Sequence, residues 1–166
     1  VAPILNALPT DRRDNEQTTM MARQPQPIHL IAHDPDDLIV MSALLQDALV
    51  RHADMTYESK RHRFVLVLSR FRWEAGPTAR ERVRAGLHFN HVLKVQHQKL
   101  ALAKADSVAE LLAIRCATDG AGGTEITLEF AGGGAIRLVA ECLDAEVRDL
   151  GPAWRADHTP DHTESR

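Results

Sequence analysis

From Met55 onward apolar and polar residues alternate with a period of two, the spacing of strands with one buried face. In "RFVLVLSRFRWE", Phe64, Leu66 and Leu68 share one face, while Val65, Val67, Phe71 and Trp73 share the other. Two apolar faces on a strand from Arg63 to Glu74 predict a central position, after a turn near Lys60–His62. "LHFNHVLKVQHQ" reads as another strand, with Leu87, Phe89, Leu93 and Val95 inward, His88, Asn90, Lys94 and Gln96 outward, and Val92 out of phase. A strand from Leu111 to Ala117 follows a loop, and in "TEITLEF" Ile126, Leu128 and Phe130 face the core. In "AIRLVAECLDAEVRDL", Ile136, Leu138 and Ala140 share a face, the phase slips at Cys142-Leu143, and Leu143, Ala145 and Val147 resume it. A β-bulge within one strand is the expected cause.

Before Met55 the period differs. Ile28 to Ala32 predicts a short strand. "HDPDD" then carries the marks of a helix start rather than of a metal cluster. Asp34 suits the N-cap, Pro35 the first turn, and Asp36 and Asp37 the positive end of the dipole. Leu38, Met41, Leu45, Ala48 and Leu49 fall on one helical face, so the helix is expected to run to near Arg51. Between Ala131 and Ala135, Gly132, Gly133 and Gly134 separate two alternating runs. A phosphate-binding loop needs a helix directly after it, and "AIRLVAE" is β-prone, so these glycines predict a hairpin turn.

The expected fold is α+β: one main amphipathic helix packed on a strongly bent, mostly antiparallel sheet or partial barrel, roll-like, of roughly six to eight strands. Residues 28–155 form the expected single domain, with Trp154 the last packed side chain. Residues 1–27 are expected to be a disordered arm or an upstream extension, and residues 156–166 a disordered polar tail.

Taken together, "LIAHDPDDLIVMSALLQDALV", "RFRWE", "FAGGGAIRL" and "DLGPAW" resemble an alphaproteobacterial family known as a domain of unknown function, DUF2948, over about residues 28–154. The resemblance implies no activity, cofactor or catalytic residue.

Composition narrows the function classes. Hydrophobic residues make up 44% of the chain, no run approaches a bilayer span, and the N-terminal stretch lacks the basic region of a secretory signal. Two cysteines, Cys116 and Cys142, are too few for a disulfide framework. Flanked by apolar residues, they are expected to be inert buried thiols in a cytoplasmic protein. Nine histidines show no chelating spacing: on one strand His88 and His91 point to opposite faces, and His91 and His97 lie about 20 Å apart. Ser42, Ser59, Ser69 and Ser107 lack a nucleophile-elbow context, and Glu141, Asp144 and Glu146 read as a solvated face. No catalytic residue, metal or cofactor is expected.

Charge is the strongest non-local signal. The net charge is −3, yet Lys60 to Lys104 hold eleven Lys/Arg and two acids, against nine and twenty-one elsewhere. Arg70, Arg72, Arg80, Arg82, Arg84, His88 and Lys94 are therefore the candidate anion- or partner-binding residues. They fit a non-catalytic binding or accessory module that uses a basic sheet face, or the helix edge, to contact an acidic protein or other anionic partner. A competing reading pairs the basic strands with Glu125, Glu129, Glu141, Glu146 and Asp149 inside the sheet. Two further function classes compete. One is an enzyme or small-ligand binder with Arg70, Arg72 and His88 around an anionic substrate in the mouth of the sheet. The other is a sequence-tolerant RNA or single-stranded DNA binder.

Overall fold

The structure is a computed structural model that describes residues 26–76, 78–100, 104–118 and 120–158. Most of the expected arm and tail, residues 1–25 and 159–166, lies outside the described residues.

Among the described residues the chain forms one antiparallel sheet packed on one α-helix. In order come β1 (His29–Ala32), α1 (Pro35–Leu45), β2 (Ala48–Glu58), β3 (Arg63–Phe71), β4 (Glu81–Phe89), β5 (Val92–Gln98), β6 (Val108–Thr118), β7 (Thr124–Phe130), β8 (Ala135–Ala140), β9 (Ala145–Asp149) and β10 (Trp154–Arg155). The spatial order is β1-β9-β4-β3-β2-β6-β7-β8-β5, with β10 paired to β4. The sheet is not closed into a barrel: β1 and β5 are its ends, and the described residues form ten strands where six to eight are expected.

The helix starts as its sequence dictates. Asp34 accepts the Asp37 N–H at 2.9 Å, and Pro35 occupies the first turn. It stops at Leu45, one turn and a half before Arg51. Asp47 adopts a left-handed conformation (φ 61°), and Ala48 and Leu49 enter β2, where they pair with β6. Their spacing from Leu45 fits a helix and a buried strand equally well, and the ladder decides. Leu38, Met41 and Leu45 pack into the concave face, and the Ser42 hydroxyl takes the Ile114 N–H at 2.8 Å to fix α1 on β6.

Inward alternation supplies the core. Phe64, Leu66 and Leu68, Leu87 and Phe89, Ile126, Leu128 and Phe130, Ile136 and Leu138, and Val147 are all buried in one cluster. Each such side chain contributes about 1.5–3 kcal/mol by leaving water.

Two strands break where one continuous strand is expected. A turn at Asn90–His91, with His91 at φ 59°, separates β4 from β5 and resets the phase, so Val92 is buried and Leu93 exposed. The phase slip at Cys142-Leu143 is likewise a strand break. β8 pairs with β7 and β5, whereas β9 crosses over to lie between β1 and β4. The arginine-rich stretch "AGPTARERVRAG" contains the start of β4. The triglycine closes the β7–β8 hairpin: the Phe130 N–H reaches the Gly134 carbonyl at 2.8 Å, and Gly132 and Gly133 sit at φ 78° and 81°. Trp154 is an exposed residue of β10, and Ala156 beyond it is buried.

Candidate functional site

The seven candidate cations do not share one surface. Arg70 follows Leu68 on the inward face of β3 and is fully buried. Its guanidinium holds two carboxylates bidentately. Nε and Nη2 donate to Asp149 at 2.8 Å each, and Nη1 and Nη2 donate to Glu74 at 3.0 and 2.7 Å. Asp149 also takes the Ile28 N–H at 2.9 Å. Burial opposes the charge on Arg70, but the two carboxylates prevail and hold it protonated more firmly than an ordinary arginine. Burial likewise opposes the Glu74 charge, and the Arg70 hydrogen bonds outweigh it, so the Glu74 carboxyl lies below the usual range. Arg72, nearly buried, donates to Glu81 at 2.7 Å and lies 3.6 Å from Glu74. The pair expected to face solvent therefore spends its charge inside the protein.

Arg82 is half-buried. It donates to the Ser69 carbonyl at 2.9 Å and to the Asp47 carbonyl at 3.3 Å, and lies 5.9 Å from the Phe71 ring centre. Burial lowers its proton affinity, partly offset by Asp47 and Glu110. Arg80 is exposed in the β3–β4 connection (φ 46°), and Lys94 is exposed on the end strand β5, separated from β4 by most of the sheet order.

Arg84 and His88 are brought together. They lie on the outer face of β4, with Gly86 between them. The register adds neighbours the sequence reading missed: Ser69 of β3 opposes Arg84, Val67 opposes Gly86, and Val65 opposes His88. On the other side Arg148 opposes Gly86 and Glu146 opposes His88. Arg84 is exposed and makes no ion pair among the described residues. Leu150, 49% exposed, folds over Gly86, where an added Cβ would come within 3.3 Å of its Cδ1. Two shallow grooves flank this point. One, about 190 Å³, is lined by Leu49, Arg51, Asp54, Val67, Ser69 and Arg84 among others. The other, about 230 Å³, is lined by Val65, Gly86, His88, Glu146, Arg148 and Leu150 among others. The result is an apolar floor edged by arginines.

The family described as "Protein of unknown function (DUF2948)" matches residues 28–162. The chain belongs to the DUF2948 family. No curated protein and no solved structure matches it.

Elsewhere in this DUF2948 chain, polar contacts serve the fold. Ser107 Oγ lies 2.6 Å from His52 Nδ1, a contact invisible in the sequence, yet Ser107 also closes a turn onto the Lys104 carbonyl at 2.8 Å. The pair clips the loop before β6 to β2 and borders none of the grooves described. Cys116 is half-buried, and burial pushes its thiol pKa up. Cys142, expected to be buried on a strand, is exposed in the turn before β9. Among the described residues no group of three or more His, Cys, Asp or Glu side chains is placed to hold a metal ion. Nor is any helix among them long and apolar enough to cross a membrane. Arg70, Arg72 and His88 do not converge on a common cavity. The cleft of about 340 Å³ beside Arg72 is lined by Glu81 and Asp149, already paired to the arginines, and by Pro27, Val83 and Gly151 to Ala153.

Proposed function

We propose that this protein is a non-catalytic cytoplasmic binding module that contacts an acidic or otherwise anionic protein through the outer face of β3, β4 and β9. The observation that supports this reading is the exposed guanidinium of Arg84, without an ion-pair partner among the described residues, beside the apolar floor of Val65, Val67 and Leu150. Unpaired arginine next to apolar surface is the composition of protein contact sites. Two paired arginines flank it: Arg148, 3.3 Å from Glu146, and Arg51, which donates to Asp54 at 2.8 and 3.2 Å. Two unpaired cysteines suit a reducing compartment.

The test is binding of a fluorescein-labelled ten-residue polyaspartate peptide, followed by anisotropy at about 0.02 M salt, where charge is weakly screened. The Arg84→Glu, Arg148→Ala variant is expected to lose affinity about tenfold or more, chiefly through slower association. Binding as strong as in the unmodified protein would overturn the proposal.

A further inference from the structure

Four of the nine histidines gather on the outer face of β1, β9 and β4, next to the proposed contact surface, and they interleave with carboxylates. His29 Nε2 lies 2.8 Å from Glu146 Oε1, and His88 Nε2 lies 3.5 Å from Glu146 Oε2. One row further on, His33 Nδ1 lies 3.9 Å from Asp144 Oδ1, and His91 Nε2 lies 3.4 Å from Asp144 Oδ2. His91 Nδ1 is also 3.8 Å from Glu141. The strands thus set two imidazole–carboxylate–imidazole bridges side by side, each carboxylate shared between histidines from different parts of the chain.

Resting on the binding reading above, we infer that this face takes up its anionic partner in a proton-dependent way, tightly when the four imidazoles are charged and weakly when they are neutral. The charge balance of the face carries the argument. Around the histidines stand Glu146 and Arg148 of β9, and Glu141 and Asp144 of the β8–β9 turn. Arg84 of β4 stands beside them, and so does Arg63 of β3, held through Asn90 at 3.0 Å. At the start of α1 are Asp34, Asp36 and Asp37, the last accepting the His33 N–H at 3.4 Å. That is three arginines against six carboxylates. With neutral imidazoles the negative charges exceed the positive by three, and with four protonated imidazoles the positive exceed the negative by one. Protonation of the four imidazoles thus reverses the sign of the face. The arrangement suits a switch because all four rings are at least a quarter exposed and can exchange protons with solvent.

A unit charge about 10 Å away in water changes affinity about twofold, so four together give on the order of tenfold. The experiment compares polyaspartate binding at pH 5.5 and pH 8.0; the peptide stays ionised at both, because free aspartate titrates near ~3.9. The unmodified protein is expected to bind about tenfold tighter at pH 5.5. In the variant carrying His29→Gln, His33→Gln, His88→Gln and His91→Gln, the difference between the two pH values is expected to shrink below about twofold. Equal binding at both pH values overturns the proton dependence and leaves the binding reading standing. An undiminished pH difference in the quadruple variant also overturns it. Absence of binding at both pH values overturns both readings together.

Discussion

Arg70 and Arg84 lie on neighbouring strands, β3 and β4, within one register step of each other, and meet opposite environments. Arg70 points inward and is locked by four hydrogen bonds to Glu74 and Asp149. Arg84 points outward and is left to solvent. The two differ in face and in what the fold sets opposite. An inward cation must be neutralised, since an unpaired buried charge is too costly to keep, and the last long strand, β9, delivers the carboxylate that does it. An outward cation is under no such demand and stays available. A run of arginines in a sequence is therefore two populations until the partner strands are known.

Breaking the buried pair has the largest expected effect. Asp149→Ala leaves the Arg70 charge with Glu74 alone and strips the Ile28 N–H of its acceptor, so a loss of about 3–5 kcal/mol of stability is expected. It is read as a lower urea midpoint.

A smaller effect sharpens the same contrast. Glu74 is a quarter exposed, so Glu74→Gln is expected to cost about 1–2 kcal/mol near neutral pH, a hydrogen-bonded charge discounted for solvent. Because the folded state depresses the Glu74 carboxyl, its contribution is present above the unfolded carboxylate range, near ~4.3, and is lost as pH falls through the folded value. Unfolding curves of the two proteins should converge in acid and separate towards neutrality. A gap that widened in acid would contradict the assignment.

The smallest expected effect lies on the outer side. Arg84→Ala should change stability by less than about 0.5 kcal/mol, because the side chain makes no ion pair among the described residues. A thermal shift larger than a few degrees would mean that Arg84 is structural after all, and the two arginines would no longer differ in kind.

Much of the sheet is written in local alternation. Phe64, Leu66 and Leu68, or Ile126, Leu128 and Phe130, occupy the face their period assigns, and Asp34 caps the helix its own sequence announces. What alternation does not record is where a strand ends when both neighbours continue the period. Asn90–His91 and the connection of residues 141–144 break the strands through left-handed backbone or sheet crossing, and the apolar residues flanking them obscure both. The site was half legible. His88 reads as outward from its alternation, whereas Arg84 joins it on one face only through the β4 ladder. For Arg70 the signal was also present, since it shares parity with Phe64, Leu66 and Leu68, but its partner Asp149 is 79 residues away. Arg51, Arg148 and Leu150 joined the face only through strand pairing that no local pattern encodes.

The position of β9 has a consequence for how the molecule comes into being. Among the described residues β1 pairs only with β9, whose residues lie 113 to 119 positions later in the chain (Ala32 with Ala145, His29 with Arg148). During synthesis the hairpin of β3 and β4 and the meander of β6 to β8 can assemble as they leave the ribosome. β1 must wait without a strand partner until almost the last strand arrives. Closure at such long sequence separation is slow compared with local pairing. A nascent chain halted before Ala145 should therefore hold a folded centre and a loose N-terminal strand, readily cut by protease around residues 28–33.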